Sequence, residues 1–417
     1  MRRKAFSNSD KTIVAHDIVA GTSRPRAFVE VFSVFLRLGL TSFGGPIAHL
    51  GYFRAEFVAR RRWLDENAYA DLVALCQFLP GPASSQVGMS IGLMRAGLPG
   101  ALAAWLGFTA PSAAALVIFA YGVDAGASLL QHGVLHGLKI VTVAVVAQAV
   151  WSMGRTLCAD RTRLTIALVA AAVLLFAPGA LAQIVVIASA ALVGWKLLHA
   201  EPNAGTAAEE IRVPRMMSAG AAGLFFVLLA MLPVAAAWSA SSAVSLFDSF
   251  YRAGSLVFGG GHVVLPLLQS ELVPRHWISN ELFLAGYGAA QAVPGPLFTF
   301  AAYLGAASSV RPNGGVGALL CLVAIFLPSL LLVLATLPHW HSLRRKQAVR
   351  NALAGVNAAV VGLLLAALYQ PVWISAILGP GDLALALAAF LLLVAWRVSP
   401  WIVVLLSVGG AVMLTLG

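Results

Sequence analysis

The sequence predicts an all-α, multi-pass membrane protein with two homologous, inverted repeats whose helices are broken. An apolar composition, long uncharged segments and a twice-occurring motif pattern lead to this prediction. Of the 417 residues, 60% are hydrophobic and 10% are charged, whereas a soluble domain has about 25% charged residues. Because so few charges cannot give the chain a polar surface, we expect it to face lipid.

Six segments lack Asp, Glu, Lys and Arg, and each is long enough for a membrane-spanning helix of about 20 residues. They are residues 72–94, 96–123, 164–195, 216–247, 312–343 and 351–381. Most of the net charge of +11 lies in short clusters between apolar segments. This pattern is typical of loops beside a bilayer, so we expect a lipid bilayer and no nucleic acid as partner.

The second half of the chain repeats the first. A shift of 215 positions pairs Arg37 with Arg252, and Glu56 with Glu271. Two motifs recur with small gaps: Phe-Gly-Gly at 43–45 and 258–260, and Gln-x-x-Pro-Gly-Pro at 77–82 and 291–296. Pro111-Ser112 likewise pairs with Pro328-Ser329. The repeat is much longer than a solenoid unit of about 20–50 residues, which indicates a duplicated half-protein.

The apolar elements follow one another in a regular order. A tail at 1–26 has no apolar core, so it is not a cleavable signal peptide, and we expect it in the cytoplasm. The first repeat, 27–199, has elements near 27–46, 68–95, 98–123, 134–153, 163–178 and 181–199. A polar linker (200–216) and a connecting helix (217–238) follow. The second repeat, 244–417, has elements near 244–261, 281–309, 314–337, 349–369, 381–397 and 400–416.

An odd number of crossings before the second repeat inverts it relative to the first, as in many secondary transporters. The positive-inside rule places the N-terminus in the cytoplasm, because the loops around Arg155, Lys196, Arg344 and Arg397 then lie inside. The basic stretch 60–62 fits only if the elements with Gly-Gly and Pro-Gly-Pro are re-entrant. The sequence therefore leaves two topologies, 13 spans or 9 spans with four re-entrant hairpins.

The Pro-Gly-Pro groups are the main candidate for a substrate site. The apolar runs beside the first group, 68–79 and 83–94, are too short to cross a bilayer, and the prolines break the helix between them. Such breaks are tolerated where they face protein or a watery cavity, and the new helix N-termini favour anions. A purely structural kink is the alternative. The candidates here are Gln77, Pro80, Gly81, Pro82, Ser84, Ser85, Gln291, Pro294, Gly295, Pro296 and Thr299.

Glycines and charged residues supply the other candidates. Gly44, Gly45, Gly259 and Gly260, with His262, permit a binding loop or, alternatively, close helix packing. Arg37 and Arg252 lie in apolar stretches, where a charge is costly, and a guanidinium can donate two hydrogen bonds to an oxyanion. The alternative is that these arginines pair with Glu56 or Glu271. The two glutamates are candidate proton carriers or salt-bridge partners.

In both halves the chain resembles the long, two-domain form of the chromate ion transporter family. The resemblance rests on Phe-x-Arg-x-Gly at 35–39 and 250–254, followed by the Phe-Gly-Gly and Gln-x-x-Pro-Gly-Pro motifs. It implies a protein of the bacterial inner membrane that exports chromate, a tetrahedral dianion, and confers chromate resistance. Sulfate or another oxyanion is an alternative substrate, and a homodimer is left open.

Other classes of protein are less compatible with the sequence. No Gly-x-x-x-x-Gly-Lys-Ser/Thr loop occurs, so we expect secondary transport without a cofactor. A cation site would need buried carboxylates, whereas the paired charges inside apolar elements are arginines. A membrane enzyme is disfavoured because the histidine pairs 132/136 and 339/341 lack accompanying metal ligands or a nucleophile motif. We therefore expect neither catalytic residues nor a bound metal.

Overall fold

Helices form all the regular structure in the described part of the chain. The computed structural model describes residues 25–124, 129–199, 214–258, 260–340 and 346–416, and these contain no β-strand. Most of the predicted tail (1–26), most of the linker (200–216) and the candidate residue Gly259 lie outside the described residues. All thirteen predicted apolar elements are present as helices.

The first repeat contains helices α1 to α7, and α8 connects it to the second. Their bounds are α1 Pro25–Thr41, α2 Gly45–Phe53, α3 Glu66–Phe78, α4 Ala83–Asp124, α5 Leu129–Leu157, α6 Arg161–Phe176, α7 Ala180–Leu197 and α8 Arg215–Trp238. A π-helical segment, Arg54–Arg60, extends α2.

The second repeat contains α9 to α16 among the described residues. Their bounds are α9 Ser242–Leu256, α10 Val264–Leu272, α11 Asn280–Ala290, α12 Phe300–Ala306, α13 Gly314–Thr336, α14 Gln347–Ala367, α15 Pro380–Val394 and α16 Pro400–Leu416. Short 3₁₀ turns precede α10 and α12, and a π-helical segment, Leu368–Trp373, extends α14.

Two helices, α2 and α10, are missing from the elements predicted by sequence. Both follow a Phe-Gly-Gly motif, and each forms the second arm of a helical hairpin whose first arm is α1 or α9. Charged residues such as Arg54 and Glu56 interrupt the apolar pattern of α2 and its extension, and Pro266 and Glu271 do the same in α10. Hydropathy alone does not detect such arms.

Helix α4 consists of two arms, 83–95 and 98–124. Ala96 (φ −143°, ψ 23°) and Gly97 (φ 64°, ψ −157°) leave the helical conformation. Gly92 and Gly100 then pack backbone against backbone, so that a side chain on either would collide with the other's carbonyl. Gly305 and Gly317 make the same contact between α12 and α13. Glycine thus permits the tight turn that follows the first arm of α4, and the one between α12 and α13. The second hairpin of each repeat consists of the two helices that flank Pro-Gly-Pro: α3 with the first arm of α4, and α11 with α12.

Both hairpins of the first repeat begin and end on one side of the molecule. Glu30, near the start of α1, pairs with Arg61 at 3.1 Å and with Arg95 at 3.0 Å. Arg61 follows the extension of α2, and Arg95 ends the first arm of α4. In the second repeat, the Ser309 N–H, beyond α12, donates to the Trp277 carbonyl, beyond α10 (2.8 Å). This geometry favours hairpins that re-enter over hairpins that cross.

Nine helices of the described chain remain as crossings: the second arm of α4, α5 to α8, and α13 to α16. This arrangement matches the nine-span topology. By length and composition alone, five helices of the described residues qualify as spans: Ala83–Gly122, Gly133–Leu157, Arg215–Trp238, Gly314–His339 and Gln347–Ala376. Five crossings separate the hairpins of the two repeats, so these open on opposite sides, here called the first-repeat side and the second-repeat side.

Helices of one repeat pack against helices of the other, so the two repeats do not fold as separate bodies. Helix α5 packs against α16, where Gly137 touches the backbone of Val408, and α14 packs against α6 and α7 through Gly362 and Gly355. Within each repeat, Gly39 brings α1 against the backbone of α4, and Gly254 brings α9 against that of α13. Because small residues let helices approach closely in a membrane, these glycines hold the hairpins in the centre.

Candidate functional site at the crossed Pro-Gly-Pro loops

Both Pro-Gly-Pro groups adopt backbone conformations that only glycine tolerates well. After α3 the chain leaves the helix at Leu79, and Gly81 has a φ of +115°. In the second repeat, Gly295 has a φ of +95°. The flanking prolines have no N–H to continue a helix, so each loop ends one helix and begins another. The predicted helix breaks are therefore confirmed.

Each of these loops is bound by the opposite repeat. The Gly81 N–H donates to the Val257 carbonyl at 2.7 Å, and the Gly295 N–H donates to the Ser42 carbonyl at 2.9 Å. Ser42 and Val257 occupy matching positions, directly before the two Phe-Gly-Gly motifs. The loops thus cross in a reciprocal way that relates the two repeats by an approximate two-fold axis.

A second reciprocal contact lies beside the first. A Cβ atom on Gly81 would collide with the Ser329 hydroxyl, and one on Gly295 would lie 2.8 Å from the Ser112 hydroxyl. Ser112 and Ser329 each follow a helix proline at matching positions of the repeat. We call the two loops together with Ser42, Val257, Ser112 and Ser329 the crossed-loop site.

Neutral polar side chains surround the crossed-loop site. Buried His49 lies 3.3 Å from the Ser84 hydroxyl through Nδ1 and 3.2 Å from the Ser42 carbonyl through Nε2. His262 Nδ1 lies 2.7 Å from the Tyr287 hydroxyl. The remaining bonds go to the loops themselves: the Gln86 amide donates to the Pro80 carbonyl and the Thr299 hydroxyl to the Pro296 carbonyl, both at 2.7 Å.

Several buried polar atoms at this place have no hydrogen-bond partner among the described residues. A buried polar atom left unpaired costs about 1–3 kcal/mol, so a group of them indicates a place for water, an ion or a ligand. Most are hydroxyls, which can donate to an oxyanion. These atoms are Ser42 Oγ, Ser85 Oγ, Gln86 Oε1, Thr109 Oγ1 and Ser329 Oγ.

Arg37 belongs to a cluster of charges on the first-repeat side. Its Nη2 atom lies 2.5 Å from Glu56 Oε2, and Glu56 also binds Arg60 at 3.0 Å and Arg61 at 2.6 Å. The Arg37 side chain is nevertheless 48% exposed. The first ion-pair cluster consists of Glu30, Arg37, Glu56, Arg60, Arg61 and Arg95.

Arg252 belongs to a matching cluster, which is more buried. It binds Asp248 at 2.8 Å and Glu271 at 2.7 Å, and Glu271 also binds Arg275 at 3.2 Å. The Arg252 side chain is 17% exposed. The second ion-pair cluster consists of these four residues. Each arginine therefore pairs with the glutamate of its own repeat, and among the described contacts neither donates to a Pro-Gly-Pro loop.

The glycine and glutamine candidates differ in their placement. Gly44 (φ 101°), Gly45 (φ 76°) and Gly260 (φ 139°) form the turns between the arms of the first hairpins, next to the crossed-loop site. Gln291 ends α11 beside Tyr287 and is half-buried, whereas Gln77 is exposed. The structure thus brings most of the predicted set together, but the Gln77 side chain is not buried among it.

Sequence reasoning missed several residues of the site. Ser112 and Ser329 had a detectable signal, because they occur at matching places in the repeat. His49 and Gln86 have no such signal, since Val264 and Phe300 take the equivalent positions. Their roles depend on contacts between distant segments.

A cavity of about 340 Å³ opens on the second-repeat side, between α6, α7, α10, α11 and the end of α14. Its polar lining consists of Gln183, Gln269, Ser270, Asn280 and Gln370. Gln183 also lines a recess whose wall includes Arg252 and Glu271. The recess measures only about 10 Å³, too little for an oxyanion, so the cavity approaches the second ion-pair cluster at Gln183 but is not an open channel to it.

Comparisons with known proteins agree with this architecture. A sequence model of the chromate transporter family matches residues 29–195 and 244–414, one match for each repeat. A chromate transport protein of Pseudomonas aeruginosa is 29% identical over 350 residues, which cover 82% of this chain and 80% of the relative. One from Cupriavidus metallidurans is 26% identical over 351 residues, covering 81% of each chain.

An uncharacterized transporter of Methanocaldococcus jannaschii is 24% identical over 81% of this chain and 83% of its own length. No solved structure matches the chain. Since the family match covers both repeats, this multi-pass membrane protein belongs to the chromate transporter family, in its long form with two repeats.

Proposed function

We propose that this protein exports chromate from the bacterial cytoplasm across the inner membrane, and so confers chromate resistance. The observation that carries the proposal is the crossed-loop site, where two helix breaks meet and buried hydroxyls have no partner among the described residues. A tetrahedral dianion offers four acceptor oxygens to such donors.

The chemistry of the site favours an anion. The helix that begins at Ala83 directs its first N–H groups and the positive end of its dipole toward the break. Hydroxyl groups of Ser85 and Ser329 add donors. The candidate residues at the crossed loops include no carboxylate, which a cation would require.

The names of the relatives support chromate as the substrate. Those from Pseudomonas aeruginosa and Cupriavidus metallidurans are chromate transport proteins. Sulfate has the same charge and shape as chromate, and neutral donors discriminate weakly between them. Sulfate is therefore the competitor to include when chromate uptake is measured.

The membrane potential provides sufficient energy for export. A dianion that leaves a negative cytoplasm gains about 2.3 kcal/mol per charge per 100 mV, or about 4.6 kcal/mol in total. We place the N-terminus and the first-repeat side in the cytoplasm, where the positive-inside rule puts basic loops. Inverted repeats then place matching hairpins on the two sides of the crossed-loop site, as alternating access requires.

The test is chromate uptake into everted vesicles, which expose the cytoplasmic side, with sulfate as competitor. We expect saturable uptake that vesicles without the protein lack. Ser85→Ala and Ser329→Ala should each raise the half-saturating concentration about tenfold or more, since a hydrogen bond to a charged group contributes about 1.5–3 kcal/mol. Ser152→Ala, an exposed serine on α5, is the matched control. Absence of chromate uptake, or equal behaviour of all three variants, would refute the proposal.

A further inference from the structure

The two ion-pair clusters occupy matching places but differ in charge. In the first cluster, four arginines face two glutamates, which leaves two positive charges. In the second, two arginines face two carboxylates, which leaves none. An anion approaching the first cluster is attracted, whereas one approaching the second meets no net charge.

One substitution between the repeats accounts for much of this difference. Arg37 matches Arg252, Glu56 matches Glu271, and Arg60 matches Arg275 at a shift of 215 positions. Asp248, however, has Ser33 as its counterpart. Both positions lie four residues before the arginine of their helix, so a carboxylate there reaches the guanidinium directly.

Asp248 leaves Arg252 no nitrogen free for a ligand. Arg252 Nε lies 3.0 Å from both oxygens of Asp248, Nη1 lies 2.7 Å from Glu271, and Nη2 lies 2.8 Å from Asp248 and 3.2 Å from Glu271. Arg37 makes a single described ion pair, through Nη2, and half of its side chain is exposed. Of these two arginines, Arg37 therefore keeps more N–H groups available to a ligand.

The cavity on the second-repeat side makes this difference relevant to transport. It shares Gln183 with the small recess beside Arg252, so it brings an anion close to the second ion-pair cluster. An anion that moved from the cavity toward Arg252 would meet a guanidinium whose three nitrogens all donate to the carboxylates of Asp248 and Glu271. Entry from the second-repeat side is therefore less favourable than entry past Arg37.

We propose that the first ion-pair cluster captures tetrahedral oxyanions and that Asp248 prevents the second cluster from doing so. The two sides of the protein then load anions unequally. This inference rests on the proposed function as an oxyanion transporter, and it adds where the anion first binds and which residue sets the preference.

The test exchanges the two counterparts, Asp248→Ser and Ser33→Asp. Chromate and sulfate uptake are measured in everted and in right-side-out vesicles, and half-saturating concentrations are compared. Asp248→Ser should lower the half-saturating concentration about tenfold for uptake from the second-repeat side. Ser33→Asp should raise the half-saturating concentration by a similar factor for uptake from the first-repeat side. Asp160→Ser, which removes an equal charge from the α5–α6 turn and retains a helix-capping residue, is the control.

A second measurement detects anion binding at the first ion-pair cluster independently of transport. Phenylglyoxal modifies accessible arginines, and peptide mass spectrometry reports each position. Chromate or sulfate should slow modification of Arg37 severalfold in the wild type, and less so in the Ser33→Asp variant, while Arg252 reacts only after Asp248→Ser.

The two proposals fail in different ways. Lack of saturable uptake of chromate in the wild type refutes the proposed function. Normal uptake with unchanged side preference in both exchange variants refutes the inference. Modification of Arg37 at the same rate with and without either anion also refutes it, whatever the transport result.

Discussion

Gly295→Ala is predicted to disrupt the contact between the two repeats. Gly295 has a φ of +95°, and an added Cβ would lie 2.8 Å from the Ser112 hydroxyl and 3.1 Å from the Phe108 carbonyl. Relief of this crowding would pull the Gly295 N–H away from the Ser42 carbonyl, which it binds at 2.9 Å.

The expected loss is the sum of two effects. Placing alanine in the left-handed region costs about 1–2 kcal/mol, and losing the hydrogen bond costs about 1 kcal/mol. The free energy of unfolding should therefore fall by about 2–3 kcal/mol. It is measured by denaturant titration in detergent micelles, alongside chromate uptake by the same variant.

Two other glycines separate these effects. Gly45 has a φ of +76° and open space around its Cβ position, so Gly45→Ala should show only the backbone cost of about 1–2 kcal/mol. Gly51 lies within α2 with open space and no unusual φ, so Gly51→Ala should be neutral or stabilising.

Removing the Ser112 hydroxyl should restore about 1 kcal/mol to the Gly295→Ala variant, because it removes the closest collision. Such coupling joins residues of different repeats. If Gly295→Ala costs no more than Gly45→Ala, and Ser112→Ala gives no recovery, the crossing of the loops is refuted.

Further variants test the ion pairs, the topology and the helix packing. Glu271→Gln should lower the free energy of unfolding by about 1.5–3 kcal/mol, because the largely buried Arg252 loses a charged partner. Glu66→Gln, which removes a charge from the exposed pair with Arg54, should lower it by less than about 1 kcal/mol. Equal losses in the two variants would contradict the difference in burial between the pairs. Cysteines replacing Arg62 and Leu98 should react with an impermeant maleimide from the same membrane side, whereas opposite sides would support thirteen spans. Gly254→Ala should cost about 1–3 kcal/mol, because the added Cβ collides with a carbonyl of α13; an unchanged melting curve would contradict that packing.

Hydropathy predicted the order of the apolar helices because lipid-facing segments must be apolar and long. Phe176, Met216 and Trp238 are 92%, 89% and 88% exposed, as expected of residues against lipid. The hairpin arm of α2 and its extension escaped detection because charged residues follow α2 directly. Ion pairs such as Arg61 with Glu56 satisfy these charges, and a hydropathy profile does not detect pairing.

The candidate site was predictable only where the repeat marks it. Both Pro-Gly-Pro breaks followed from the chemistry of proline and glycine. The hydrogen-bond partner of Gly81 is Val257 in the opposite repeat, and no local sequence pattern predicts a contact between segments so far apart in the chain. The arginines illustrate the same limit. An apolar context predicts that Arg37 and Arg252 need a partner, and the structure gives each the glutamate of its own repeat.

Disulfide formation between the repeats tests the crossed-loop site most directly. A Cβ atom on Gly295 would lie 3.5 Å from Ser112 Cβ, within the range of about 3.5–4.5 Å found in disulfides. The experiment replaces Cys76, Cys158 and Cys321, introduces cysteines at 112 and 295, and places a protease site in the polar segment 200–213.

After oxidation and cleavage of that segment, the two halves should migrate together on a non-reducing gel and separate on reduction. A control with cysteines at 295 and 329, both in the second repeat, should separate without reduction. Joined halves in the 112/295 protein alone are the predicted result. Halves that separate in both proteins under oxidising conditions would contradict a site shared by the two repeats.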